Sequence, residues 1–140
     1  LPLRVRGTSA TAKMASGTPL VDDDRWPWLD RVADELRRID AAGGSAVLAC
    51  SALKEAYRVR IARAGEVRFV HLAGDPETIA ARLAVRKHRY MPASLLASQF
   101  ATLEPPADAV RIDVALAVER QVEAICRSLA LVAAPKASHA

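Results

Sequence analysis

Aromatic residues are scarce in this 140-residue chain, at 4%, so a core must be assembled mainly from Ala, Val, Leu and Ile. Cysteine is almost absent. Cys50 and Cys126 stand far apart without metal-ligand spacing, which favours two reduced thiols over a metal site or a disulfide. No apolar run approaches the length of a membrane span and no signal peptide is visible, so the expectation is a cytoplasmic protein without a membrane partner. A dense basic block is also missing. The net charge of +4 comes from scattered arginines, which suits an anionic small substrate and does not argue for nucleic acid. The chain opens on Leu1 rather than a methionine, compatible with processing, an unusual start codon or a truncated reading frame.

What is present is ordinary in bulk: 51% hydrophobic and 26% charged residues, within a length that supports one domain. Residues 1–11 show no period and read as an irregular lead-in. From Asp24, as N-cap, the pattern turns helical, with Pro27 in the first turn and Trp28, Leu29, Val32, Leu36 and Ile39 at helical spacing. Gly43-Gly44 ends that helix. "SAVLAC" at 45–50 reads as a strand buried on both faces. Ser51 then caps a helix over roughly 52–64. A second strand is expected over 67–73, followed by a helix with Asp75 as cap and Pro76 at its first position. A short helix near 93–103, a third strand over 109–114, a closing amphipathic helix over 116–131 and a frayed tail at 132–140 complete the reading. Strands alternating with helices predict an α/β protein: a parallel sheet with helices on both faces, in three layers. Ligands of such sheets sit beyond the carboxyl ends of the strands, here the loops after Cys50 and after Ala73.

Three stretches carry candidate chemistry. In "KMASGTPLVDDDRWPWL" (13–29) the carboxylates Asp22, Asp23 and Asp24 precede a helix, where one would suffice as a cap. Arg25 sits where the helix dipole disfavours a cation, so it can be read either as incidental or as a bidentate clamp for a substrate carboxylate. In "CSALKEAYR" (50–58), Ser51 opens a helix whose N-terminus attracts anions, and Lys54 and Arg58 lie four apart on one face. A capped helix with a solvated basic side is the plainer reading. In "ARLAVRKHRY" (81–90), Arg82 and Arg86 share a face ahead of Lys87, His88 and Arg89. A solvated helix end and a lid of cations over transferring phosphoryl groups both fit that pattern.

Together "KMASGTPLVDDDRWPWL", "CSALKEAYR" and "RKHRYMPASLLASQFATLEPP" closely resemble the gluconate kinases, in the same order and at similar spacing. These are small P-loop kinases of the shikimate-kinase type, often called thermoresistant gluconokinases. The resemblance covers residues 12–131. It implies a P-loop-kinase-like parallel sheet and transfer of the ATP γ-phosphoryl group to the 6-hydroxyl of D-gluconate, with ATP and Mg²⁺ as cofactors; a homodimer is compatible with it. It also implies a substrate side built from Lys13, Asp22, Asp24, Arg25, Ser51, Lys54 and Arg58, and catalytic lid cations at Arg82, Arg86 and Arg89.

The departure from the family is equally specific. The family begins with a strand and a Gly-x-x-Gly-x-Gly-Lys-Ser/Thr loop, and neither is found in these 140 residues. That is one βα unit, on the order of 30 to 40 residues, including the backbone nest for the phosphates and the hydroxyl that holds Mg²⁺. The family places its strand in the middle of the sheet. The expectation is therefore a truncated gluconate kinase, with residues 1–11 read from a different frame or start. Two alternatives stay open: a non-catalytic remnant that binds a sugar acid or a partner, and a split enzyme whose P-loop comes from another chain. Phosphoryl transfer depends on positioning and charge stabilisation that the missing loop supplies. These residues alone are thus expected to form no 6-phosphogluconate in an assay coupled to 6-phosphogluconate dehydrogenase, whereas the chain with a P-loop unit restored turns over. Equal turnover from both would contradict this.

Overall fold

The computed structural model describes residues 20–86 and 94–131. The lead-in at 1–11, Lys13, Arg89 and the tail at 132–140 lie outside them. The chain divides into two compact units, Leu1–Val67 and Arg68–Ala140, each with its own apolar centre.

The first unit is a pair of packed helices, α1 (Asp22–Ala41) and α2 (Glu55–Ala62). Leu29, Val32 and Ala33 of α1 and Tyr57 and Ile61 of α2 are buried, together with Ala64 just beyond. Three- and four-residue spacings on both helices give each one apolar stripe, and the stripes supply the core. The expected start at Asp24 is corrected by one turn. Val21 is the N-cap, and Asp24, at the third helical position, accepts the Val21 backbone N–H at 3.1 Å. A carboxylate reaching back from that position satisfies a helix-end donor that valine's own side chain cannot serve. Pro27 accordingly falls inside the helix rather than in its first turn. So near the start, its missing N–H removes one intrahelical bond.

At the other end Gly44 N–H reaches Ile39 O at 2.9 Å and Gly43 N–H reaches Asp40 O at 2.8 Å. This pairing needs a left-handed residue at the first position beyond the cap, and Gly43 has φ +73°. The predicted glycine stop thus holds.

The predicted strand at 45–50 does not form: the segment is irregular and Val47 is fully exposed. An apolar run becomes a buried strand only when neighbours pair with its backbone on both sides. Among the described residues this run has none. The next correction concerns Ser51, which does not cap a helix. Lys54 is the N-cap of α2, and Ala52 between them has φ +35°, a left-handed turn that delays the helix.

The second unit contains a two-stranded parallel sheet, β1 (Val70–Ala73) and β2 (Val110–Asp113), in the register Val70 to Val110 through Ala73 to Asp113. Both predicted strands therefore exist, trimmed at their ends. Parallel pairing requires a crossover, and α3 (Pro76–Val85) and α4 (Ser94–Thr102) lie in it and pack on each other. Asp75 caps α3 as expected, accepting Thr78 N–H at 2.7 Å, with Pro76 at the first position. The closing helix α5 (Val118–Ser128) packs on β2, and Gln121 Nε2 donates to Leu116 O at 2.7 Å, fixing the turn before it. Among the described residues no helix is long and apolar enough to cross a membrane.

The turn from β1 into α3 is closely packed. A Cβ on Gly74 would stand 2.5 Å from Val114 Cγ2 and 3.1 Å from Ile79 Cδ1. Val114 is buried at the end of β2, so it has little room to yield. Gly74→Ala is expected to destabilise the protein by about 1–3 kcal/mol, the usual cost of overpacking, seen as a lower midpoint in urea unfolding. An unchanged midpoint would mean the turn relaxes freely.

Candidate functional site

The predicted substrate residues Asp22, Arg25 and Lys54 meet at the shared N-terminal end of α1 and α2. Asp22 is the first residue of α1, and Lys54 is the N-cap of α2. The Lys54 ammonium donates to both Asp22 oxygens, at 3.1 and 3.0 Å. The Tyr57 hydroxyl, three residues further on and buried, donates to Asp22 Oδ1 in a short hydrogen bond. Two donors on one carboxylate favour its charged form, the Tyr57 bond more than the Lys54 bond, and hold Asp22 below the usual carboxylate range. Lys54 is shifted upward, chiefly by its hydrogen bond to Asp22. Tyr57 is also raised, first by burial and then by the adjacent carboxylate, so its proton stays in place.

Arg25 lies one helical turn from Asp22 and places its guanidinium 5.5 Å from the centre of the Tyr57 ring. Its Nε is buried and has no hydrogen-bond partner, and it forms no ion pair among the described residues. Leaving a buried donor of a charged group unsatisfied is costly. Among the described residues Arg25 therefore differs from the other predicted cations of this unit, Lys54 and Arg58, each of which has an ion pair: it is held, but not neutralised.

A second layer supports this cluster. The Trp26 ring meets Tyr57 edge-on at 5.6 Å and 72°. Arg60 stacks 5.5 Å from the Trp26 ring while its Nε and Nη2 grip Asp30 at 2.5 and 2.7 Å. That bidentate pair ties α2 back to α1. Cys50 stands nearby, its thiol pushed up by burial, which keeps it protonated and unsuited to nucleophilic work.

Arg58 goes elsewhere. Lys54 and Arg58, expected on one face, separate because the Arg58 side chain is buried and turned under the preceding loop. Its Nη1 donates to Ala52 O at 2.8 Å and Leu53 O at 3.2 Å, and its Nη2 to Glu55 at 2.7 Å. These bonds hold the left-handed turn at Ala52. Ser51 is exposed on that turn. In the second unit Arg82 lies in the last turn of α3, and Arg86 follows as its C-cap, both exposed.

Sequence reasoning missed Tyr57, Trp26, Arg60 and Asp30. Lys54 and Tyr57 are three apart, a spacing that puts side chains on one helix face, so Tyr57 was within reach. The Trp26–Arg60 stack and the Asp30–Arg60 pair join residues about 30 positions apart, and no local pattern announces them.

The charges give a pH signature. Asp22 titrates lower in the folded state than its ordinary value near 3.8, so its contribution is present above that value and is lost as pH falls through the lowered one. Lys54 titrates above its ordinary 10.5, so its contribution is present below that pH and is lost as pH rises further. Thermal melts should thus show a plateau between these limits, and Asp22→Asn should flatten part of the acid limb. Among the described residues Asp30, Glu35 and Asp75, whose values are lowered as well, contribute to the same limb. An acid limb unaffected by the substitution would contradict the Asp22 pairing.

No family model matches the chain. It is 40% identical over 129 residues to a probable gluconokinase of Xenopus tropicalis, covering 81% of this chain and 67% of that protein. It is 49% identical over 98 residues to a gluconokinase of Gluconobacter oxydans, covering 69% of this chain and 54% of the other. A crystal structure of a sugar kinase from a Janibacter species superposes with a TM-score of 0.80 at 38% identity, over 90% of this chain and 75% of that one. The chain spans between about half and two thirds of the curated relatives it matches. Likeness at this level carries the fold, a P-loop-kinase-like α/β architecture.

Proposed function

The chain belongs to the gluconokinase family, and we propose that it provides the sugar-acid side of ATP-dependent phosphoryl transfer to the 6-hydroxyl of D-gluconate, giving 6-phosphogluconate. The observation that carries this reading is Arg25. Its guanidinium is pinned on the Tyr57 ring with a buried, unpartnered Nε, while the neighbouring cation Lys54 is matched by Asp22. A site prepared in this way has one positive charge to offer, in the fork geometry that suits a carboxylate. Gluconate brings that carboxylate at one end and its 6-hydroxyl at the other, so binding the acid group at Arg25 fixes where the hydroxyl can lie.

In this reading Asp22 and Lys54 face the polyol, Asp24 and Arg58 hold the helix start and the loop, Ser51 is a further substrate-side residue, and Lys13, outside the described residues, is assigned to the substrate by family resemblance. Arg82, Arg86 and Arg89 act on the nucleotide side as cations for the transferring phosphoryl group. ATP supplies that group when bound. The described residues do not fit a cradle for it: no glycine-rich loop joins a strand to a helix as a phosphate nest requires. Among them no group of three His, Cys, Asp or Glu side chains could hold a metal ion by itself, and Mg²⁺ at a nucleotide draws most of its ligands from phosphate and water oxygens. The chemistry of these residues is binding and orientation of the sugar acid.

Calorimetric titration of D-gluconate into the chain and its Arg25→Ala variant tests the reading. Loss of a charge-assisted pair should weaken binding by roughly 10- to 100-fold. Unchanged affinity would remove Arg25 from the site and the reading with it.

A further inference from the structure

We propose that Tyr57 is the positioning residue that makes this site specific for an acid carrying hydroxyl groups, by holding an acceptor and a cation side by side. The inference rests on the sugar-acid reading above and extends it to a residue that touches no substrate. Tyr57 is 5% exposed, and each part of it meets a different member of the cluster. Its hydroxyl donates to Asp22 Oδ1. One cation, the Arg25 guanidinium, lies 5.5 Å from the ring centre, and another, Lys54 Nζ, lies 5.6 Å from it. The Trp26 ring packs edge-on against it, which stops the tyrosine from swinging away.

Two consequences follow from ordinary chemistry. An ionised carboxylate only accepts hydrogen bonds, and it offers about four lone-pair positions. Among the described residues Tyr57 and Lys54 together occupy three of those on Asp22, which leaves room for a donor, and a sugar hydroxyl is one. The ring face, meanwhile, holds a cation without supplying a counter-charge. Arg25 is therefore kept in place and still able to take an external carboxylate. A carboxylate in the ring's position would have neutralised Arg25, and an aliphatic side chain would have left it to find another partner. One tyrosine thus keeps Asp22 ready for a hydroxyl and Arg25 ready for an acid group.

Among the described residues the groups facing Asp22 are Tyr57 and Lys54 from α2 and its cap, and Arg25 from its own helix. Because the Tyr57 hydrogen bond leads in lowering the Asp22 titration, removing only the hydroxyl should be visible at Asp22 itself.

The test uses the full chain and two variants, Tyr57→Phe and Tyr57→Leu, with D-gluconate, hexanoate and sorbitol as probes. Carboxyl NMR should show the Asp22 midpoint rising toward the ordinary aspartate value in both variants. Ring-current shifts on Arg25 should persist in Tyr57→Phe and vanish in Tyr57→Leu. The wild-type chain should bind gluconate more tightly than either hexanoate or sorbitol. Tyr57→Phe should lose roughly tenfold in gluconate affinity while leaving hexanoate unchanged, which a general loss of structure would not do. Should Tyr57→Leu fail to fold, Tyr57→Phe still decides the matter. If the wild type binds gluconate but Tyr57→Phe matches it in affinity and in Asp22 titration, the positioning role is overturned and the function stands. If the wild type binds no gluconate, the functional reading falls, and the role in selecting a sugar acid falls with it.

Discussion

The carboxylate of Asp22, gripped by Lys54 and Tyr57, is the contact on which the first unit depends. It joins residues 32 and 35 positions apart and does so at the N-terminal ends of both helices, where backbone N–H groups lack intrahelical partners and a negative charge is favoured. The buried stripes of Leu29, Val32 and Ile61 press the helices together but do not by themselves fix which ends meet, because apolar contact has no direction. The Asp22 bonds and the Asp30–Arg60 pair supply that direction. Tyr57 belongs to both systems, since its ring lies in the core and its hydroxyl in the polar cluster.

This arrangement accounts for the run Asp22-Asp23-Asp24 better than capping alone. Asp24 performs the helix-start work by accepting the Val21 N–H, which releases Asp22 to look across to the second helix. Arg25 then occupies the end of a helix dipole that disfavours it. Within a cluster where Lys54 is already matched, Arg25 has no ion-pair partner among the described residues, and the sugar-acid reading proposed above would supply one. The local rule broken at Arg25 is of the kind that proteins break at functional positions.

How much of this could be read beforehand depended on how local each cause was. The glycine stop at Gly43, the cap at Asp75 with Pro76 behind it, and the two strands Val70–Ala73 and Val110–Asp113 all rest on residues adjacent in sequence, and all appear. The strand at 45–50 was misread for a non-local reason: its apolar composition is that of a buried strand, but pairing partners decide whether such a run becomes one. Gluconokinase resemblance places a further strand in mid-sheet, and the described residues contain none to pair with this segment. The start of the second helix was misplaced because Ala52 takes a left-handed φ, which nothing in an alanine signals. Arg25 stands out in the sequence as a cation at a helix start, whereas its grouping with Lys54 comes from the family resemblance, because their approach at Asp22 depends on the packing of two helices. Tyr57 was not singled out, since a tyrosine in a helix is more often core than chemistry.

If the tyrosine-held cluster leaves Arg25 available for the acid group of an open-chain sugar acid, that contact is directly visible. The most direct measurement is a crystal structure of the chain with D-gluconate bound. The gluconate carboxylate is expected within hydrogen-bond distance of the Arg25 guanidinium, with a sugar hydroxyl on Asp22 and the Tyr57–Asp22 bond intact. Gluconate bound away from α1, or Arg25 turned onto a carboxylate of the protein while the ligand is present, would contradict it.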